Sequence, residues 1–317
     1  MEKLRRRDLL SATGATLALA GCRRRAAGTK PRVSIARAGD YGQSLYELMR
    51  RILSQHRLEV RGKRVVLKPN LVEFESGAAI NTHPLVVGAA LEAFRALGAA
   101  EVRIAEGPGH RRVTLDLAEA AGYFGIIPRF EELFTDLNLD QVSRVRLARP
   151  RSRLKELYLP RTALGADLVV SLPKLKTHHW VGATLALKNL FGVVPGGVYG
   201  WPKNVLHWAG IDECIADLHS LFPRTFAIVD GIVGMEGNGP IQGKPKAAGV
   251  LVAGGDAAAV DATCCRIMRI DPEKIRYLEL VSENGQTRQE NVAQIGEAIR
   301  SVETPFALLP EFARVRL

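Results

Sequence analysis

The chain has 317 residues, of which 47% are hydrophobic and 24% are charged, and its formal net charge is +11. These are ordinary values for a folded globular protein, and they exclude a disordered chain, a fibrous chain and a polytopic membrane protein. The excess of basic residues favours an anionic ligand or an anionic membrane surface, although a solvated basic surface would give the same composition. No motif for nucleic-acid recognition is present in the sequence, so we expect no nucleic acid among the partners.

Residues 1–22 have the features of a targeting segment rather than of a folded element. Residues 6–10 read Arg-Arg-Asp-Leu-Leu, which matches the twin-arginine export pattern. The apolar run over 11–20 is too short to span a bilayer. Residues 19–22 read Leu-Ala-Gly-Cys, which resembles the site where a bacterial lipoprotein is cut and acylated. We therefore predict a signal segment over 1–22 with lipidation at Cys22.

This signal segment predicts a location and a transient partner for the protein. The twin-arginine (Tat) translocase would export the folded chain. A lipid at Cys22 would then hold it at the periplasmic or outer face of the membrane, on a basic tether over 23–31. Two features depart from the usual pattern: Arg5 replaces the common Ser or Thr, and residues 23–25 behind the cysteine are all arginine. The alternative is an arginine-rich N-terminus that contains a cysteine by chance.

From residue 32 onward, short β-rich runs alternate with stretches of helical spacing. Strands are predicted at 33–36, 65–67, 102–105, 168–172, 226–229 and 250–253. Helices are predicted at 41–56, 84–97, 115–122 and 257–268. Strands separated by helices imply a mainly parallel sheet with helices on both faces, so we predict a single α/β domain with Rossmann-like layers over 32–317.

Several of the predicted strands end in polar or glycine-rich turns. Ligands of open parallel sheets bind beyond the carboxyl ends of the strands, so these turns should converge on one crevice. The second strand runs into Lys68-Pro69-Asn70. Proline fixes the turn and Asn70 can bond to the backbone, so a structural role for this motif stands beside a functional one.

The segment that follows the fourth predicted strand is the richest in groups that could carry chemistry. Lys174 and Lys176 point the same way if the chain is extended there, and Thr184 and Lys188 share a face if they lie on one helix. His178 lies between the two pairs. Together these groups suit a phosphate, a carboxylate or an oxyanion. The alternatives are a solvated loop for the first two lysines and a snorkelling side chain for Lys188.

The segment 230–240 contains four glycines and two acids, and it predicts a loop whose backbone can approach a ligand closely. The segment does not have the form of a P-loop, and G-x-G-x-x-G is absent. Oxygen atoms of Asp230, Glu236 and Asn238 would suit Mg²⁺ or Ca²⁺, and they could equally pair with the lysines. No metal site is assigned on this pattern.

The cysteines argue against a cysteine-based metal centre. The sequence has four of them, Cys22, Cys214, Cys264 and Cys265, and none forms a C-x-x-C pair. The ligand set of a zinc site or of a ferredoxin-type cluster is therefore missing. Cys264 and Cys265 are adjacent on a predicted helix, and we expect both to pack in the core.

These motifs together resemble the DUF362 family, a bacterial and archaeal group named for its unknown function. The resemblance covers residues 33–285 and rests on Lys68-Pro69-Asn70, Glu106-Gly107, Leu172-Pro173-Lys174-Leu175-Lys176-Thr177-His178, Thr184 with Lys188-Asn189-Leu190-Phe191-Gly192, Asp230-Gly231 with Glu236-Gly237-Asn238-Gly239-Pro240, and residues 254–261. The resemblance implies no particular activity. Some members of the family carry a ferredoxin-like module or iron–sulfur ligands, and the cysteines for these are missing here. The resemblance does imply that the lysine and acid clusters form one site.

The sequence thus favours an enzyme that acts on a small anionic molecule through a crevice of lysines and carboxylates. The predicted catalytic residues are Lys174, Lys176, Lys188, Asp230 and Glu236. The predicted substrate-binding residues are Lys68, Asn70, His178, Thr184, Asn189 and Asn238. No cofactor is assigned. Two alternatives stay open: a redox or iron–sulfur-related cofactor-handling protein, which twin-arginine export would suit, and a non-catalytic ligand-binding lipoprotein.

Overall fold

The computed structural model describes residues 29–42 and 44–317, and this part of the chain contains twelve strands. In chain order they are β1 (Arg32–Arg37), β2 (Arg64–Pro69), β3 (Glu101–Glu106), β4 (Phe134–Asp136), β5 (Val142–Arg146), β6 (Glu156–Pro160), β7 (Leu168–Leu172), β8 (Lys174–His178), β9 (Gly182–Thr184), β10 (Thr225–Glu236), β11 (Lys244–Gly254) and β12 (Ala293–Gly296). The predicted signal segment and Cys22 lie outside the described residues.

Helices connect most of these strands. They are α1 (Leu45–Ser54), α2 (Pro84–Ala96), α3 (Thr114–Ala120), α4 (Tyr123–Ile126), α5 (Phe130–Leu133), α6 (Arg161–Leu164), α7 (Ala186–Asn189), α8 (Gly196–Tyr199), α9 (Asn204–Trp208), α10 (Ile211–Leu221), α11 (Ala257–Ile267), α12 (Arg276–Val281) and α13 (Ile299–Val302). Short 3-10 segments cover Leu190–Val193, Pro272–Lys274, Gln289–Asn291 and Pro310–Val315. No helix in the described residues is long and apolar enough to cross a membrane.

Ten of the strands form one sheet, in which eight follow the order β12-β1-β11-β10-β7-β2-β3-β4. The five neighbours from β10 to β4 run parallel, and β8 also pairs in parallel with β10. In contrast, β11 runs antiparallel to β1 and β10, and β9 runs antiparallel to β8. The strands β5 and β6 form a separate antiparallel pair. The predicted α/β class with a mainly parallel sheet is confirmed.

Helices cover both faces of the sheet and bury a hydrophobic cluster on each. Successive side chains of a strand point to opposite faces. Val65 and Leu67 of β2 accordingly belong to the cluster with α1 and α2, and Val66 belongs to the cluster with α10 and α11. Cys264 and Cys265 are buried in this second cluster as free thiols, as the sequence predicts.

The prediction of a loop over 230–240 is wrong for most of that segment. β10 continues to Glu236 and pairs with β11 as a long antiparallel hairpin. A Cβ on Gly234 would lie 2.5 Å from the carbonyl oxygen of Leu175, and one on Gly231 would lie 3.0 Å from that of Val250. These two glycines therefore allow β10 to pack closely against its neighbours, rather than shaping a ligand loop.

Two further local predictions are corrected by the structure. Thr184 and Lys188 do not share a helix, because Thr184 ends β9 and Lys188 lies on α7. The helix predicted from Tyr41 begins only at Leu45, because Tyr41 lies in a bend that places its hydroxyl on Asp230.

Candidate functional site

The predicted convergence of strand ends is found at one edge of the sheet. β2 ends at Pro69, directly after Lys68, and its parallel neighbours β3 and β7 end at Glu106 and Leu172. Five lysines act on one another electrostatically in this region. We call them the lysine cluster: Lys68, Lys174, Lys176, Lys188 and Lys203.

Lys68 forms a buried ion pair with Glu106, in which Nζ lies 2.7 Å from Oε2. The amine also donates to Oδ1 of Asn189 at 3.1 Å and to the carbonyl of Pro69 at 2.9 Å. All three N–H donors of Lys68 are therefore engaged. Burial lowers the pKa of Lys68, and the neighbouring Glu106 carboxylate opposes that shift. Because its donors are all used, Lys68 holds the strand ends together and has none left for a ligand.

The end of α7 and the 3-10 segment that follows it pack directly over the Lys68–Glu106 ion pair. The side-chain amide of Asn189 donates to the carbonyl of Lys68 and to Oγ of Ser171, both at 3.0 Å. A Cβ on Gly192 would overlap Glu106 Oε1 and Lys68 Nζ. Glycine at position 192 therefore allows the 3-10 segment to lie against the pair.

Lys174 belongs to a second and closed network. Its Nζ lies 2.6 Å from Oδ2 of Asp230 and donates to the Tyr41 hydroxyl at 3.0 Å, and that hydroxyl donates to Oδ1 of Asp230 at 3.0 Å. The backbone N–H groups of His83 and Ile232 donate to the same carboxylate at 3.0 and 3.3 Å. Burial raises the pKa of Tyr41, which keeps its hydroxyl a neutral donor. Asp230 is wholly buried, and both of its oxygens are satisfied.

Lys176 and Lys203 are buried amines that meet only backbone carbonyls. Lys176 donates to two of them at 2.8 and 3.0 Å, and Lys203 donates to two others at 2.7 Å. Neither amine has a carboxylate partner among the described residues. As an ammonium group each lysine has three N–H donors, so one donor of each is unused in that form, whereas a neutral amine has two and both are engaged. Burial lowers the pKa of Lys176 well below its ordinary value and that of Lys203 to about 7.

Lys188 is the partly exposed member of the lysine cluster. Its Nζ lies 3.9 Å from the centroid of the Phe191 ring, and no described residue accepts a hydrogen bond from it. Asp261 of α11 fixes the start of α7, because its carboxylate accepts the first two N–H groups of that helix at 2.8 and 3.0 Å. Enclosure by the protein and, next, the charge of Lys68 lower the pKa of Lys188 to about 7.

Three buried side-chain oxygens beside the lysine cluster lack a hydrogen-bond partner among the described residues. They are Oγ1 of Thr184, Oδ1 of Asn70 and Oδ1 of Asp212, whose carboxyl acts on Lys188 through space. Thr184 lies opposite Lys176 in the β8–β9 register, and Asn70 follows the end of β2. Because buried polar atoms in native proteins are nearly always satisfied by the protein or by ordered water, these oxygens would take a hydrogen bond from a water molecule or from a bound group.

The lysine cluster contains more amines than carboxylates. Only the carboxylates of Glu106 and Asp230 form ion pairs with its amines in the described part of the chain, so three of the five amines have none. Asp212 also acts on Lys188 through space, and burial raises the pKa of its own carboxyl to about 6. Charges in a low-dielectric interior interact strongly, so whichever of these amines are protonated make the local potential positive.

His178, predicted as a binding residue, is buried within this region. Its Nδ1 accepts the backbone N–H of Trp180 at 3.0 Å. Burial and, next, the charge of Lys188 lower the pKa of His178 well below its ordinary value, so the ring is neutral.

Glu236 and Asn238 are not brought to the lysine cluster. The carboxylate of Glu236 accepts the backbone N–H of Ala307 at 2.9 Å and lies 3.8 Å from Nζ of Lys246. Asn238 is exposed and donates to Gln242 at 2.9 Å. The roles predicted for these two residues have no support from the geometry.

Three residues of the site were not among the predicted site residues: Glu106, Tyr41 and Lys203. Glu106 had a usable signal, because a carboxylate at the end of the strand beside Lys68 is placed to pair with it. Lys203 had little signal in the sequence, because it follows a turn rather than a predicted strand. Its backbone is left-handed, with φ of 66°. Tyr41 reaches Asp230 from far away in sequence, which no local pattern shows.

Two other features of the described chain lie apart from this chemistry. No group of three or more His, Cys, Asp or Glu side chains within residues 29–42 and 44–317 could hold a metal ion. One surface groove runs between α1 and α2, and another lies at the opposite edge of the sheet beside Arg64 and Arg161. Neither groove contains a member of the lysine cluster. The features that distinguish the candidate site are its amines without carboxylate partners and its buried oxygen atoms without hydrogen-bond partners.

Comparison with known proteins gives one family, one relative and two solved structures. The family model described as "Domain of unknown function (DUF362)" matches residues 65–266. A thylakoid-associated protein of Synechocystis sp. is 33% identical over 223 residues, which are 68% of this chain and 65% of that protein. Lactate racemase apoprotein from Thermoanaerobacterium thermosaccharolyticum matches with a TM-score of 0.48 and 14% identity over 76% of this chain and 57% of its own. A Thermotoga maritima protein matches with a TM-score of 0.38 and 14% identity over 78% of this chain and 60% of its own. The matches thus span less than two thirds of each of these three proteins.

Proposed function

This chain belongs to the DUF362 family, and from that premise we propose that it is an enzyme acting on a small anionic molecule bound by the lysine cluster. Lys188, Lys176 and Lys203 would contact the anion. The pairs Lys68–Glu106 and Lys174–Asp230 would hold together the strand ends beside those amines.

The observation that carries this proposal is the surplus of buried amines without carboxylates. An unpaired charge inside a protein is costly, and such groups usually have a partner. As ammonium groups, Lys176 and Lys203 each have one unused donor and Lys188 has three. The unpartnered Oγ1 of Thr184 lies in the same region. An anion with several oxygen atoms would satisfy these groups together.

Lys188 also supports a catalytic use of the site. With a pKa of about 7, its amine is divided between the ammonium and neutral forms near neutral pH. The ammonium form can hold the anion, and the two forms can give or take a proton during a reaction. The neighbouring Lys68–Glu106 pair keeps its own hydrogen bonds, so we assign the proton transfer to Lys188 and not to that pair.

The binding step can be tested by isothermal titration calorimetry with sulfate and acetate as probes. We expect at least one probe to bind the wild-type protein. Lys188→Ala should weaken that binding by roughly tenfold or more, because a hydrogen bond to a charged group is lost. Lys244→Ala, which removes an exposed lysine of β11, is the matched control and should bind as the wild type does. If neither probe binds the wild type, the proposed site is wrong.

We also propose the export route that the first 22 residues suggest. The matched relative from Synechocystis sp. is named a thylakoid-associated protein, which is in keeping with a membrane location. Cys22→Ser should release the mature protein into the soluble fraction, whereas Cys214→Ser, which changes a buried thiol, should leave its location unchanged. A Cys22→Ser protein that stays bound to membranes would argue against the lipid anchor.

A further inference from the structure

A series of aromatic rings leads outward from Lys188. We define this aromatic rim as His178, His179, Trp180, Phe191 and His207. The Lys188 amine lies over the ring of Phe191, whose centroid is 5.7 Å from that of His207. The His207 ring lies 4.9 Å from the ring of Trp180. The rim therefore connects the unpaired amine of the cluster with the protein surface.

Exposure increases along this series. Phe191 is buried, His207 is half-buried and Trp180 is 56% exposed. A single exposed tryptophan is common on protein surfaces. Trp180 is different because its ring contacts three histidine rings, those of His178 at 6.3 Å, His179 at 4.8 Å and His207 at 4.9 Å.

The rim differs in chemistry from the lysine cluster beneath it. Burial and, next, the charge of Lys188 lower the pKa of His207 to about 4, and the same two causes lower that of His178. These rings are therefore neutral near pH 7. They offer flat apolar faces beside a cation, rather than further positive charges.

We propose that the anion bound by the lysine cluster carries a flat aromatic or conjugated group, which stacks on the aromatic rim while the anionic group meets Lys188. This inference rests on the proposed function and narrows its substrate class. Aromatic rings bind other flat rings by offset or edge contacts, and such stacking tolerates many ring types. The expected ligands are aryl carboxylates or aryl phosphates, which should bind more tightly than inorganic or short aliphatic anions.

Two matched pairs of probes test this proposal by calorimetry: methyl phosphate against phenyl phosphate, and acetate against benzoate. Each pair has one anionic group in common and differs in the ring. We expect the aryl member of at least one pair to bind the wild-type protein roughly tenfold more tightly than its partner.

Variants of Trp180 show whether the rim provides that preference. Trp180→Ala and Trp180→Leu should bind the small anion as the wild type does and lose the preference for the aryl probe. Trp180→Phe should keep much of the preference, because it keeps a ring. Trp208→Ala is the matched control, since Trp208 is 73% exposed on α9 and makes no ring contact with the rim. It should behave as the wild type.

The outcomes separate the two proposals. If the aryl and small anions bind the wild type equally, the aromatic ligand is wrong and the anion site stands. If Trp180→Ala keeps the preference, stacking on the aromatic rim is wrong and the anion site again stands. If no probe of either pair binds the wild type, both proposals fail. A preference that is lost in Trp180→Ala and retained in Trp208→Ala supports the aromatic ligand.

Discussion

Two parts of the same strand-end region use lysine in opposite ways. Around Lys174, a carboxylate and a tyrosine hydroxyl lie within 3.0 Å of the amine. Around Lys188, the described residues supply the face of an aromatic ring but no hydrogen-bond acceptor. Both lysines lie in the segment 172–192, which carries much of the resemblance to the family, and both are close to a strand end. The groups around a lysine, rather than its position in a motif, therefore distinguish an amine that stabilises the fold from one that is available for binding.

The largest expected effect comes from breaking the closed network. Asp230→Asn should lower the free energy of unfolding by about 3–5 kcal/mol, because it leaves the buried Lys174 amine without its counter-charge. The control is Asp167→Asn, which removes the partner of the exposed Arg64 and should cost about 0–1 kcal/mol. Denaturant unfolding measures both. Equal effects in the two variants would mean that the buried network does not stabilise the fold as described.

A smaller loss is expected from crowding the Lys68–Glu106 pair. Gly192→Ala should destabilise the protein by about 1–3 kcal/mol, since the new methyl group overlaps both side chains of the pair. Gly125→Ala is the control, because a Cβ there meets nothing within 4 Å. Thermal unfolding of the two variants compares them directly, and a Gly192→Ala protein as stable as the wild type would show that the pair can move aside.

The unpaired amines should also make stability depend on pH. Burial lowers the pKa of Lys203 to about 7 from an unfolded value of 10.5. Between these values the unfolded chain binds more protons than the folded one, so this lysine makes unfolding less favourable as pH rises. The difference in unfolding free energy between the wild type and Lys203→Met should therefore grow in favour of the wild type from about pH 7 upward. A difference that is constant with pH would mean that Lys203 is not a depressed amine.

The smallest expected change in stability is that of Lys188→Ala, and it distinguishes Lys188 from Lys174 most directly. Lys188→Ala should change the free energy of unfolding by only about 0.5 kcal/mol, because this amine makes no hydrogen bond to the described residues. Circular dichroism with denaturant measures it beside Asp230→Asn. A loss as large as that of Asp230→Asn would make Lys188 a structural residue.

The alternation of strands and helices, and the convergence of polar strand ends, could be predicted from sequence, because both follow from hydrophobic periodicity and chain direction. The pairing within the site could not. Lys174 and Lys176 are two residues apart on one strand, yet one meets Asp230 and the other meets carbonyls. That difference depends on the register of β8 against β10, which brings Asp230 beside Lys174. The glycines of residues 230–240 led to a wrong loop prediction for a related reason. Close packing between strands requires glycine as strongly as a ligand-binding loop does.

The most direct test of the central claim is a titration of the Lys188 amine by nuclear magnetic resonance on lysine-labelled protein, with Lys188→Arg used to assign the signal. Sulfate and acetate serve as the added anions. We expect the signal to titrate near pH 7 in the free protein and its pKa to rise when a bound anion is present. A Lys188 amine that titrates at the ordinary lysine value, with no response to either anion, would contradict it.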